Sequence, residues 1–161
     1  MIVLNTSAHL AVDAKLHPAI VALGVLVVDD SRLQRKSAEQ CLIAFGVERI
    51  FEAADGQQAL TFLKRAHSPP AVILLDLEMP VLDGIEVLQH LAREQHVPAI
   101  ILVSSSDEVL LGAVAAMAEA LHLPLLGAFR KPLYPAQLAA ALARFEPREK
   151  LDAQQSLAAD G

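Results

Sequence analysis

Five short apolar runs, separated by longer stretches of helical periodicity, restrict this chain to a small set of folds. The runs occupy residues 25–28, 50–53, 71–75, 99–103 and 125–129. They are rich in Leu and β-branched residues and read as continuously apolar rather than alternating. Strands covered on both faces look like this, because no side of them meets water. Aromatic residues make up only 4% of the chain and Trp is absent, so the core has to be built from Leu, Val, Ile and Ala.

Between the runs lie helix patterns. Ser31 or Asp30 is placed to cap a helix carrying Ala38, Cys41, Leu42 and Phe45, which Gly46 closes. A second helix follows Asp55-Gly56, and a third begins near Gly84 with Ile85, Leu88 and Leu91 on one face. A fourth starts at Ser106 or Asp107, with Leu110, Ala113, Val114, Met117 and Leu121 as its apolar face. A fifth follows Pro135, with Leu138, Leu142 and Phe145. Five strand–helix units in succession predict an α/β fold, a doubly wound parallel sheet with helices on both faces. The flavodoxin-like (βα)5 strand order 2-1-3-4-5 is the expectation for five units. The domain is expected over residues 22–146. Residues 1–21 form an N-terminal extension that either lengthens the first strand or stays mobile, and residues 147–161 read as a linker or C-terminal tail.

Composition excludes several classes. The net charge is −6 with no basic run, which argues against direct nucleic-acid binding. The single cysteine, Cys41, rules out an internal disulfide and any zinc site built on several cysteines, and it reads as a small core residue. No apolar run approaches the ~20 residues that span a bilayer. Asp13, Lys15 and two histidines interrupt the N-terminal segment, unlike a signal peptide, so no membrane association and a cytoplasmic location are expected.

Ligands of such sheets bind outside the carboxyl ends of the strands. Asp29 and Asp30 follow the first run and Asp76 the third. Ser104 and Ser105 follow the fourth, and Lys131-Pro132 the fifth. Each has a plain structural reading: helix caps for Asp29, Asp30 and Ser104, a turn for Asp76 before Leu77-Glu78-Met79-Pro80, a solvated surface cation for Lys131. Those readings leave unexplained why all of them end strands of one sheet. Clustered carboxylates repel unless a cation neutralises them, and an oxygen-only donor set selects a hard cation such as Mg²⁺. Beside such a metal Asp76 is suited to attack phosphorus as a carboxylate nucleophile and form an acyl phosphate. A hydroxyl at Ser104 and the Lys131 ammonium are suited to the remaining phosphoryl oxygens.

The segments Leu26-Val27-Val28-Asp29-Asp30-Ser31, Leu74-Leu75-Asp76-Leu77-Glu78-Met79-Pro80 with Asp83-Gly84, Ile101-Leu102-Val103-Ser104-Ser105 and Lys131-Pro132 resemble the receiver family of two-component systems. So do Glu52-Ala53-Ala54-Asp55-Gly56 and Ala59-Leu60. The resemblance covers roughly residues 23–146. It implies that Asp76 is the phosphoacceptor, and that Asp30, Asp76 and the backbone carbonyl of Glu78 ligate Mg²⁺, with Asp29 acting through water. It implies Ser104 as the switch hydroxyl, with Ser105 as the fallback, and Lys131 as the phosphoryl-binding lysine. It implies a sensor histidine kinase or phosphotransfer protein as partner.

Two features depart from the family pattern. Receivers usually carry an aromatic three residues before the lysine, where this chain has Ala128; the neighbouring Phe129 belongs to the other face of the strand. Lys131 also lies 27 residues beyond Ser104, about one helical turn more than in most receivers. These features, with the segment from Leu125 to Leu133, resemble the receivers that precede EAL-type cyclic-di-GMP phosphodiesterase domains. The alternative is a stand-alone receiver acting through protein–protein binding. The Ala-rich outer side of the fourth helix (Ala115, Ala116, Ala120) offers a surface for another domain or for a homodimer. An Asp-dependent phosphatase or phosphotransferase would place a second acid two residues after the first-strand nucleophile, and Asp29-Asp30-Ser31 lacks it. Gly46 and Gly56 form no glycine-rich phosphate loop.

Overall fold

The computed structural model describes residues 15–147. A six-residue helix α1 (Pro18–Leu23) leads into strand β1 (Val25–Val28). There follow α2 (Arg32–Ala44), β2 (Ile50–Ala53), α3 (Gly56–Arg65), β3 (Val72–Asp76), α4 (Gly84–Leu91), β4 (Ala99–Ser104), α5 (Glu108–Ala120), β5 (Leu125–Arg130) and α6 (Pro135–Ala143). The five strands form one parallel sheet in the order β2-β1-β3-β4-β5, as the run pattern predicts.

Alternate residues of the central strands feed two separate cores. Val25, Val27, Val72, Leu74, Ile101 and Val103 point to one face, where Ile20 of α1, Leu42 of α2 and Leu138 and Leu142 of α6 cover them. Leu26, Val28, Ile73, Leu75, Ile100 and Leu102 point to the other, under Ala59, Val87, Leu88, Leu91, Leu111 and Val114 of α3, α4 and α5. Burial on both sides explains the absence of alternation in the sequence, and each such side chain stabilises the fold by about 1.5–3 kcal/mol. The edge strands β2 and β5 are the exceptions: each has a single buried residue, Ala53 and Leu126, while Glu52 and Arg130 are exposed, because an edge strand is covered less completely than the central three. As expected, Phe129 and Ala128 lie on opposite faces, Phe129 against the α1–α2–α6 core and Ala128 against the α3–α5 core.

Side chains that begin the helices are also placed as the sequence suggests. Ser31, Asp55 and Asp107 accept from the backbone N–H three residues on, and Asp83 forms a capping box with Glu86. Gly46, at φ 93°, follows α2 in the left-handed conformation and donates to the Ile43 carbonyl.

Two expectations need correction. The segment before residue 22 neither lengthens β1 nor hangs free where it is described, because Pro18–Leu23 is helical and Ile20 is fully buried. Gly24 turns the chain from that helix into β1 at φ 86°, with the Arg49 carbonyl so close that any Cβ would collide with it. In α5 the buried stripe is Leu111, Val114 and Ala118, while Leu110, Ala113 and Leu121 face outward. A helix reading EVLLGAVAAMAEA has apolar residues on every side, so several 3–4 spacings fit it equally and only the packing selects one. Ala116 and Ala120 are exposed and Ala115 is half-buried. The linker expected from residue 147 lies, apart from Pro147, outside the described residues. No helix among the described residues is long and apolar enough to cross a membrane.

Candidate functional site

The carboxyl ends of β1, β3, β4 and β5 meet at one rim of the sheet. Asp29 directly follows β1, Asp76 ends β3, Ser104 ends β4, and Lys131 directly follows β5. Asp29, Asp76 and Ser104 are the buried polar residues among those described, at 7%, 3% and 0% exposure. Such groups persist in an interior only when partnered, and each of them is.

The Lys131 ammonium bridges two carboxylates, 3.0 Å from Asp29 Oδ2 and 3.1 Å from Asp76 Oδ2. Its backbone N–H donates to the Ser104 carbonyl at 2.8 Å, which ties the end of β5 to β4, and the peptide bond to Pro132 is cis. The second oxygen of Asp29 accepts from the Ser31 N–H at 2.8 Å, and that of Asp76 from the Glu78 N–H at 3.2 Å. Asp30 is exposed and has no hydrogen-bond partner among the described residues.

Carboxylate oxygens of Asp29, Asp30 and Asp76 lie within 4.8 Å of one another. Three carboxylates share one ammonium, so the cluster keeps an excess of negative charge on oxygen donors alone. That donor set fits a hard divalent cation of the Mg²⁺ type, which needs few protein ligands and keeps waters. Burial pushes the Asp76 carboxyl up to about 7, the charge of Asp29 pushes the same way, and Lys131 opposes both. For Lys131 burial disfavours the ammonium, yet the hydrogen bond to Asp29 and the charge of Asp76 outweigh it and raise its pKa.

The part of the site not anticipated is the Glu78 side chain. The resemblance assigns it a role through its backbone carbonyl alone, whereas its carboxylate reaches across to the loop after β4. It accepts from the Ser104 hydroxyl, from the Ser105 N–H at 3.2 Å, and from both the N–H (3.2 Å) and the hydroxyl of Ser106. Desolvation acts to raise its pKa, but the Ser104 and Ser106 hydroxyls and the Ser105 N–H outweigh it and hold the carboxyl at about 2. An acid two residues after Asp76 and a Ser-Ser-Ser run were both visible in the sequence. Nothing local joined them, because the contact depends on β3 and β4 being neighbours. Ser104 is fully buried with its hydroxyl on Glu78, while Ser105 is exposed and contributes its backbone N–H.

The fold and this rim define a class. The response regulator receiver domain model matches residues 25–143, and the chain belongs to that family, the receivers of two-component response regulators. Within it, the chain is 34% identical over 128 residues to the cyclic di-GMP phosphodiesterase RocR of Pseudomonas aeruginosa, over 80% of this chain and 32% of that protein. It is 32% identical over 122 residues to the positive alginate biosynthesis regulatory protein of the same species, over 74% of this chain and 46% of that protein. The chain thus spans less than half the length of either relative. Among solved structures, chemotaxis protein CheY4 of Vibrio cholerae superposes with a TM-score of 0.62 at 27% identity, covering 76% of this chain and 97% of that one. A receiver domain protein from Clostridium thermocellum gives 0.64 at 25% identity, with 79% and 96% coverage.

Proposed function

We propose that this chain is a phosphorylation switch in which Asp76 takes a phosphoryl group from a sensor histidine kinase or a phosphotransfer protein. The observation that carries the reading is the Asp29–Lys131–Asp76 bridge beside Asp30, a nucleophile-bearing cluster assembled from three separate strand ends. In the step, an Asp76 carboxylate oxygen bonds to phosphorus as the phosphorus–nitrogen bond of phosphohistidine breaks, and the histidine leaves with the electron pair. Asp30, Asp76 and the Glu78 carbonyl are the proposed direct Mg²⁺ ligands. Asp29 is the proposed water-mediated one, since its two oxygens already accept from Ser31 and Lys131. When bound, Mg²⁺ would lower the raised Asp76 pKa and screen its charge against the incoming phosphate. Lys131 and the Ser104 hydroxyl are the proposed partners of the phosphoryl oxygens, with the Ser105 N–H as a further proposed donor.

The proposed output is a cyclic-di-GMP phosphodiesterase domain, supported by the identity to RocR across most of this chain and by Ala128 in the place of the usual aromatic. A receiver that acts by binding a separate partner, or a second copy of itself, is the alternative for the same switch.

Asp76→Asn tests the acceptor, being nearly isosteric with the parent. After incubation with acetyl phosphate and Mg²⁺, intact-mass spectrometry should show a phosphate adduct on the parent and none on the variant. A full adduct on the variant would remove Asp76 from the role. The output is tested by measuring cyclic-di-GMP hydrolysis of a longer gene product carrying such a domain, with and without beryllofluoride. Identical rates at all protein concentrations would sink the regulatory claim.

A further inference from the structure

The loop after β4 is built as an anion seat, and it already holds an anion. Four donors from residues 104–106 converge on one Glu78 carboxylate: the Ser104 and Ser106 hydroxyls and the Ser105 and Ser106 N–H groups. The Ser106 N–H also leans on the Ser104 hydroxyl oxygen at 3.0 Å, so the loop is closed around this contact. Glu78 reaches the seat from only two residues beyond Asp76, with its own N–H on Asp76 Oδ1 at 3.2 Å. The Ser104 hydroxyl has one proton to donate, and it is committed to Glu78. A phosphoryl group on Asp76 that uses Ser104 and the Ser105 N–H therefore needs the donors Glu78 occupies, and two anions would otherwise face each other inside one small site.

We propose that the Glu78 carboxylate is a tethered competitor for the phosphoryl seat: it fills the residue 104–106 loop in the unphosphorylated protein and must leave for solvent when Asp76 is phosphorylated. This rests on the reading of Asp76 as acceptor and goes beyond it by assigning Glu78 a role in setting how readily the switch closes. The departure is feasible because Glu78 lies at the exposed rim rather than in the core. The device keeps the loop ordered without phosphate, and it sets an intrinsic cost that a phosphoryl group has to overcome.

The test is the affinity for beryllofluoride in the presence of Mg²⁺, read by titration calorimetry on the parent, Glu78→Gln and Glu78→Asp. Removing a charged acceptor that holds several hydrogen bonds should tighten binding about tenfold in Glu78→Gln. Glu78→Asp separates seat occupancy from simple repulsion, because it keeps the charge but is one methylene too short to fill the loop. Occupancy predicts that it too binds several-fold tighter, whereas repulsion alone leaves it at the parent value. A second readout uses the metal-free protein, where the Ser105 and Ser106 amide resonances should move in both variants as they lose the carboxylate. Equal beryllofluoride affinity in all three proteins overturns the competitor role and leaves the acceptor reading standing. Unchanged Glu78→Asp affinity beside a tighter Glu78→Gln overturns it in favour of repulsion. Absence of binding in all three overturns the acceptor reading and this inference with it.

Discussion

Lys131 is the one cation between two carboxylates that are nearly out of water, and its removal strands both. Lys131→Ala should destabilise the metal-free protein by about 3 kcal/mol, since deleting one partner of a buried pair leaves an uncompensated charge. The same deletion lowers the positive charge beside the acidic cluster, so Mg²⁺ should bind the variant more tightly than the parent. Chemical denaturation without metal and a Mg²⁺ titration check the two halves separately, and weaker metal binding in the variant would contradict the charge argument. Cys41 makes a quieter prediction. Burial raises its thiol to about 11, so at pH 8 only about one thiol in a thousand is the reactive thiolate in the folded protein. Alkylation by iodoacetamide should be very slow in buffer and complete in denaturant. Rapid native modification would show that the helix α2 face is open.

At the scale of elements, the site depends on how α4 leaves β3. Gly84 opens α4 with its N–H on the Leu77 carbonyl, and a Cβ there would fall 2.6 Å from the Asp76 carbonyl oxygen and 2.8 Å from Leu77 Cα. Both obstacles are backbone and cannot rotate away. Gly84→Ala should therefore cost about 1–3 kcal/mol by overpacking and shift the strand end that carries Asp76. Thermal unfolding and the rate of phosphorylation by acetyl phosphate should both fall; an unchanged rate at lower stability would show that the strain is absorbed in the helix. The helix α5 poses the opposite case. Val109 at 83% exposure and Leu110 at 46% leave apolar side chains in water at its start, close to the loop that holds Glu78. With Ala128 lacking a ring, movement of that loop and of α5 is the proposed route by which occupancy of the rim would reach the surface.

For the whole molecule, folding and the proposed metal binding are linked because the acidic cluster exists only when the ends of β1 and β3 meet. A Mg²⁺ concentration ten times the dissociation constant should stabilise the parent by about 1.4 kcal/mol, a rise of roughly 5 °C in Tm for a domain of this size. Asp30→Ala should abolish most of that rise and Asp29→Ala less of it, because Asp30 has free oxygens while those of Asp29 serve Ser31 and Lys131. Differential scanning fluorimetry with Mg²⁺ and with EDTA measures this, and equal losses in the two variants would reverse the ligand assignment. The net charge of −6 makes the chain acidic, so contacts with the proposed kinase partner should weaken with salt where they rest on charge.

What the sequence by itself determined was the sheet and the rim. Strands buried on both faces have to be continuously apolar, so Val25–Val28 and Val72–Asp76 declare themselves, and the residues that end them declare the site. Helix starts were legible for the same local reason, because Ser31, Asp55, Asp83 and Asp107 act within three residues of themselves. The tertiary structure decided whatever depends on distant neighbours. The buried face of α5 could not be read from an Ala-rich segment with no polar side to orient it. Helix α1 was hidden because Ile20 is buried in a core shared with α2, α6 and the sheet, most of which is distant in sequence. Glu78 looked like a turn residue until β3 and β4 came side by side and brought Ser104, Ser105 and Ser106 within reach of its carboxylate. Backbone periodicity is a property of adjacent residues, whereas a hydrogen bond between residues 78 and 104 is a property of strand order, and only the folded sheet supplies it.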